Sequence, residues 1–252
     1  MAQFDNRYAV AGSATRTGAA VDAGLRSYML GVYNYMAAGV ALTGIVAYLV
    51  SSAAMVERVG GKVALTPFGN MIYNTPLKWV IMLAPLAFVF FLSFRIYKMS
   101  VPAAQISFWL FAAVMGLSLS TIFLVFTGQS ITRVFFITAA AFAALSLYGY
   151  TTKKDLSGWG TFLFMGVIGL LIAAIVNIFL QSTALQFAIS ALGVLIFAGL
   201  TAYDTQQIKD NYYEIAGDAT MLAKGAIMGA LNLYLDFINM FTSMLQLFGD
   251  RE

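Results

Sequence analysis

The sequence predicts an all-α integral membrane protein of about seven transmembrane helices. Three observations carry that prediction. Of 252 residues, 61% are hydrophobic. Mean hydropathy is +0.83, and only 10% of residues are charged, against about 25% in ordinary soluble domains. The few charges fall at intervals that leave uncharged runs about as long as a bilayer is thick.

No charge lies between Arg26 and Glu57, which predicts a first span over Tyr28–Val50. The first 27 residues are polar and rich in Gly, Ala and Thr. They lack the apolar core of a cleavable signal and are expected to form a loosely ordered cytosolic tail, with residues 28–252 as the membrane domain. After the first span, Gly60, Gly61, Pro67, Asn70 and Pro76 predict a loop. The second span is placed at Leu77–Tyr97, with Lys78 and Arg95 snorkelling at its ends. Pro102 introduces a third over Ala103–Phe126, and a fourth covers Thr132–Tyr150.

The uncharged run from Leu156 to Tyr203 is too long for one crossing. Gln181-Ser182-Thr183 divides it into spans at Trp159–Leu180 and Ala184–Tyr203. A polar connector holding Lys209, Asp210, Glu214 and Asp218 then leads to a seventh span, Lys224–Phe248. Nine basic residues fall on the side of the N-terminus and five on the other. That bias puts the N-terminus in the cytosol.

Cys and His are both absent. This excludes disulfides, thiolate chemistry and His-dependent catalysis or zinc sites. The chain is expected not to be an enzyme and to hold no cofactor. Oxygen-liganded metals such as calcium remain open. Basic residues occur singly or in pairs, which argues against nucleic acid as a partner.

Asp236 stands out because it is the single charge between Lys224 and Asp250, roughly 18 Å along the last helix from Lys224. A carboxylate at that depth needs a proton, a partner or water. It is either a protonated packing residue or part of an ion or proton pathway. Gly225, Gly229, Asn232, Asp236, Asn239, Ser243 and Gln246 form a single stripe at helical spacing. The glycines alone mean close helix packing. The two asparagines flanking the acid point to a polar pathway, which makes Asn232 and Asn239 pathway-lining candidates. Asp204 ends the sixth span and Arg95 the second; each on its own is an ordinary helix-end charge or anchor.

Four stretches carry a family resemblance: Ser93-Phe-Arg-Ile-Tyr-Lys-Met-Ser100, Tyr148-Gly-Tyr-Thr-Thr-Lys-Lys-Asp-Leu156, Gly199-Leu-Thr-Ala-Tyr-Asp-Thr-Gln-Gln-Ile-Lys209 and Asn232-Leu-Tyr-Leu-Asp-Phe-Ile-Asn239. The chain resembles the Bax inhibitor-1 family, the transmembrane Bax inhibitor motif group, in its bacterial branch. The resemblance implies a bundle with the seventh helix at its centre and a pH-sensitive calcium leak across the bacterial inner membrane. It also implies a proton-sharing aspartate pair, matched by Asp204 and Asp236, with Arg95 linked to Asp204. Calcium is then the transported ion, and the two aspartates are its candidate ligands. Relatives carry an acid earlier on the second helix, where this chain has uncharged Leu83-Ala-Pro-Leu-Ala-Phe88. The resemblance also offers an alternative role, as a regulator that binds a membrane-bound protease or stress-response partner.

Overall fold

The uncharged runs fold as helices, because only an internally bonded backbone is tolerated in hydrocarbon. The structure is a computed structural model that describes residues 5–59 and 62–251, with side chains described over 23–56 and 64–251. In order, the elements are α1 (Asp5–Ala54), β1 (Met55–Val59), β2 (Lys62–Leu65), α2 (Pro67–Tyr73), α3 (Leu77–Arg95), α4 (Val101–Leu119), α5 (Ile122–Val125), α6 (Gly128–Thr151), α7 (Ser157–Leu180), α8 (Thr183–Ile215) and α9 (Ala219–Phe248), with a 3-10 turn at Ile96–Lys98 after α3. Among the described residues, seven segments are long and apolar enough to cross a membrane: parts or all of α1, α3, α4 with α5, α6, α7, α8 and α9.

Turn chemistry sets the helix starts. The hydroxyls of Ser100, Thr127 and Ser182 accept the backbone N–H of Ala103, Ser130 and Leu185 and so cap α4, α6 and α8. Asp218 caps α9 by accepting from Thr220 and Met221. Gln181, with φ of 49°, ends α7 in the left-handed region. Hydrogen bonds from Ser157 to Asp155 at the start of α7 hold that carboxyl below the usual carboxylate range.

Three expectations are corrected. The first helix starts ahead of the expected Tyr28: α1 begins at Asp5, and Leu25 is buried. Alanines at 11, 14, 19, 20 and 23 favour that extension. The loop after the first span contains an antiparallel hairpin, β1 with β2, and the short helix α2. Its expected turn residues Gly60 and Gly61 lie outside the described residues. Finally, α8 does not stop near Tyr203 but continues three turns to Ile215, taking most of the polar connector into the helix. Ile208 and Tyr212 are buried along that extension, and the Tyr212 ring lies 5.4 Å from that of Tyr28 on α1. Packing on one face therefore outweighs the charges on the other.

The last helix is the centre of the bundle. Of the apolar window of α9, 67% is buried, against 11–33% for the other six spans. It contacts α1, α4, α6 and α8. Tyr234, fully buried, packs edge-on against Phe108 and Phe111 of α4. Its hydroxyl meets Thr43 Oγ1 of α1 at 2.6 Å, and Thr43 Oγ1 donates to the Ala112 carbonyl at 2.9 Å. With the threonine proton committed to that carbonyl, Tyr234 is the donor in the pair. Tyr234→Phe removes this bond while keeping the ring contacts. It should lower stability by about 1 kcal/mol, read as a reduced melting temperature in detergent with unchanged helix content.

Candidate functional site

The hairpin of α8 and α9 builds the site. The two helices run antiparallel from the turn at 216–218, and their glycines fix how closely they approach. A Cβ on Gly225 would meet Ile215, one on Gly229 would meet Ile208, and one on Gly193 would meet Ser243. The Gly225 and Gly229 part of the stripe is thus a close packing contact. Between these contacts the same register brings Asp204 opposite Asp236. Their carboxyls lie within hydrogen-bonding reach of each other.

Straight spans ending at Tyr203 would leave Asp204 at the bundle edge and Asp236 near mid-membrane. The continuation of α8 to Ile215 carries Asp204 more than two turns inside its helix and removes that mismatch. Asp236 is 4% exposed, and Asp204 is partly buried. Asp236 Oδ2 is buried, and among the described residues no N–H or O–H of a neighbouring group reaches it. A buried acceptor facing a second carboxyl makes a hydrogen bond only if a proton lies between them.

Two recesses meet at Asp204. One, of about 260 Å³, lies toward the α8–α9 turn and is lined by Tyr28, Tyr97, Asp204, Gln207, Asn211 and Asn232 among others. The second, of about 610 Å³, lies between α7, α8 and α9 and is lined by Asp204, Asn232, Asp236 and Asn239 together with apolar residues. Asp204 and Asn232 border both, so they form the partition. The Asn239 side-chain amide donates to the Leu235 carbonyl at 2.9 Å. That leaves its side-chain oxygen for the second recess.

Each residue of the Asp204 motif has a different neighbour, as helical rotation of about 100° per residue requires. Asp204 faces α9. Thr205 meets Ser146 Oγ of α6 at 2.9 Å, and Ser146 meets the Tyr33 hydroxyl of α1 at 2.6 Å. Gln206 clamps the α6–α7 loop: its Oε1 accepts from Leu156 N at 2.7 Å, and its Nε2 donates to the Lys154 carbonyl at 2.8 Å. Gln207 lines the smaller recess. The roles of Thr205, Gln206, Tyr28 and Asn211 escape the sequence reading. Only the density of amide and hydroxyl groups beside Asp204 signals them.

Arg95 is the exception among the expected site residues. It is exposed, and no ion pair joins it to Asp204 among the described residues. Leu92 and Ile96 are fully buried, and the face they set leaves Arg95 pointing away from the bundle. The end of α3 is tied to α9 by another cation: Lys224 Nζ donates to the Tyr97 carbonyl at 3.0 Å. Among the described residues no group of three or more Asp, Glu, His or Cys side chains comes together.

Comparison with known proteins bears on this arrangement. The family model described as "Inhibitor of apoptosis-promoting Bax1" matches residues 25–252. An uncharacterized protein of Caulobacter vibrioides is 47% identical over 249 residues, covering 99% of this chain and 98% of the relative. The inner membrane protein YbhL of Escherichia coli K12 is 46% identical over 232 residues, 91% of this chain and 94% of the relative. A Rickettsia prowazekii protein, also uncharacterized, is 45% identical over 233 residues, with 92% of each chain covered. With the family match running from α1 through α9 and including both aspartate motifs, the chain belongs to the Bax inhibitor-1 family of membrane proteins.

Proposed function

We propose that this protein is a pH-sensitive calcium leak pathway, gated by the Asp204–Asp236 pair and without catalytic activity of its own. One observation carries the reading: two carboxyls face each other inside a membrane bundle, and one of them, Asp204, stands at the partition between two recesses. Its setting is the bacterial inner membrane, as for the relative YbhL, with the N-terminus in the cytosol by the bias of basic residues.

With one proton between them, the carboxyls bond and hold α8 against α9, and the partition is closed. Loss of the proton leaves two like charges where water is scarce. For unit charges about 4 Å apart at an effective dielectric of about 20, the repulsion is about 4 kcal/mol. That is enough to part a helix contact held by small residues. The sign follows: low pH favours the closed state and high pH the open one. Calcium favours the doubly ionised pair, because it takes oxygen ligands and prefers anionic ones. Asp204, Asp236, Asn232 and Asn239 offer two carboxylates and two amide oxygens. Six to eight ligands are usual for calcium, so water supplies the rest. A site so incomplete suits an ion that passes and is not stored.

The test is calcium entry into liposomes holding the purified protein. Flux at pH 8 should exceed flux at pH 6 by at least about tenfold, within the reach of the repulsion above. A flat profile, or one that falls as pH rises, rules the mechanism out.

A further inference from the structure

A second feature lies away from the aspartates, on the outer side of α1 and α6. There a groove of about 700 Å³ runs between the two helices, from Arg26 and Tyr150 at one end to Ala37 and Ala143 at the other. Its flanks are hydrocarbon. Leu30 and Leu147 form its lips and are 51% and 63% exposed, so among the described residues no other helix covers it.

Length and charge identify an occupant. Arg26 and Ala37 are separated by about 16 Å along α1 at 1.5 Å per residue, which is half of the roughly 30 Å hydrocarbon core. The groove therefore spans one leaflet, from headgroup level to midplane. At headgroup level stand two cations. Arg26 lines the groove itself. Lys209 lies beside its end wall, where Nζ donates to the Tyr150 carbonyl at 3.0 Å and sits 5.8 Å from the centre of the Tyr150 ring. Deeper in, the polar atoms of the lining are already bonded to each other: the Tyr33 hydroxyl meets Ser146 Oγ at 2.6 Å. A molecule anionic at one end and aliphatic for about 16 Å matches this profile.

We propose that the α1–α6 groove binds one acidic glycerophospholipid, with its phosphate at Arg26 and Lys209 and an acyl chain lying along the groove toward Ala37 and Ala143. The bilayer supplies both the ligand and its orientation. Juxtamembrane Lys and Arg attract anionic lipid at a strength worth about fivefold in affinity per residue.

The full-length protein is equilibrated with equal amounts of phosphatidylglycerol and phosphatidylcholine, and retained lipid is counted by native mass spectrometry. One phosphatidylglycerol should be retained about fivefold or more over phosphatidylcholine. Arg26→Gln should cut the preference about fivefold, Lys209 remaining, and Arg26→Lys keep it. Ala143→Phe fills the deep end of the groove and should displace the retained lipid. Both altered positions are exposed, so melting temperatures should match the wild type. Equal retention of the two lipids overturns the proposal, as does a preference undiminished by Arg26→Gln. Retention that ignores Ala143→Phe marks a merely annular lipid and overturns it too.

Discussion

Asp236→Asn should abolish the pH dependence of calcium flux in liposomes, leaving profiles at pH 6 and pH 8 that coincide within error. Asparagine keeps the size of the side chain and its capacity to hydrogen-bond Asp204, but it cannot ionise. The like-charge repulsion that opens the contact is then absent at every pH. That repulsion has a scale of about 4 kcal/mol, or about three powers of ten in the balance between closed and open states. Asp204→Asn should behave differently. Asp204 borders both recesses, whereas Asp236 is 4% exposed. Removing Asp204 also removes the repulsion, but a single charge on buried Asp236 is itself costly, so a weakened pH response remains with a moved midpoint. The asymmetry separates gating by the pair from a general effect of removing a membrane carboxyl. If both variants keep the wild-type profile, the pair is a packing contact and the flux has another origin. Arg95→Ala makes a useful control: Arg95 points away from the pair, and its loss should leave the midpoint in place.

How far the sequence disclosed this site depends on what each residue reports. Span positions were legible because charge is costly in hydrocarbon, and the charges at Arg26, Lys78, Arg95, Lys153 and Asp218 lie at or close to span ends. Asp236 was legible for the same reason in reverse, as an acid where none is tolerated without cause. The inner end of α8 was not. Lys209, Asp210 and Glu214 resemble a solvated connector, and only long-range packing of Ile208 and Tyr212 onto α1 and α9 keeps that segment helical. Local pattern has no access to a partner helix almost two hundred residues away. The hairpin of β1 with β2 was missed because Met55–Leu65 is short and its sequence includes two glycines, a composition shared with irregular loops. Arg95 shows the opposite failure. The motif matched, yet the helix face fixed by Leu92 and Ile96 carries the guanidinium outward. A motif supplies a residue type, while the direction in which its side chain points depends on rotation about the helix axis.

Gly149→Val should be strongly damaging although it lies away from the aspartates. Gly149 lies on α6 where that helix crosses α8, and a Cβ there would overlap the carbonyl oxygen of Ala202. The obstructing atom is backbone, so no side-chain rotation relieves it and the two helices must separate. Overpacking of this kind costs about 1–3 kcal/mol when side chains can adjust. Here the upper end of that range is expected, as a clearly lowered melting temperature in detergent. A second consequence is specific to this fold. Ala202 is two residues before Asp204, and the neighbouring Ser146–Thr205 hydrogen bond of 2.9 Å spans the same α6–α8 contact. Pushing α8 away from α6 drives it toward α9 or tilts it, and either displacement alters the meeting of Asp204 with Asp236. Gly149→Ala, with one methyl, should therefore remain folded while moving the midpoint of the pH response. A Gly149→Ala protein with wild-type stability and an unmoved midpoint would show that the α6–α8 contact neither limits the fold nor positions the pair.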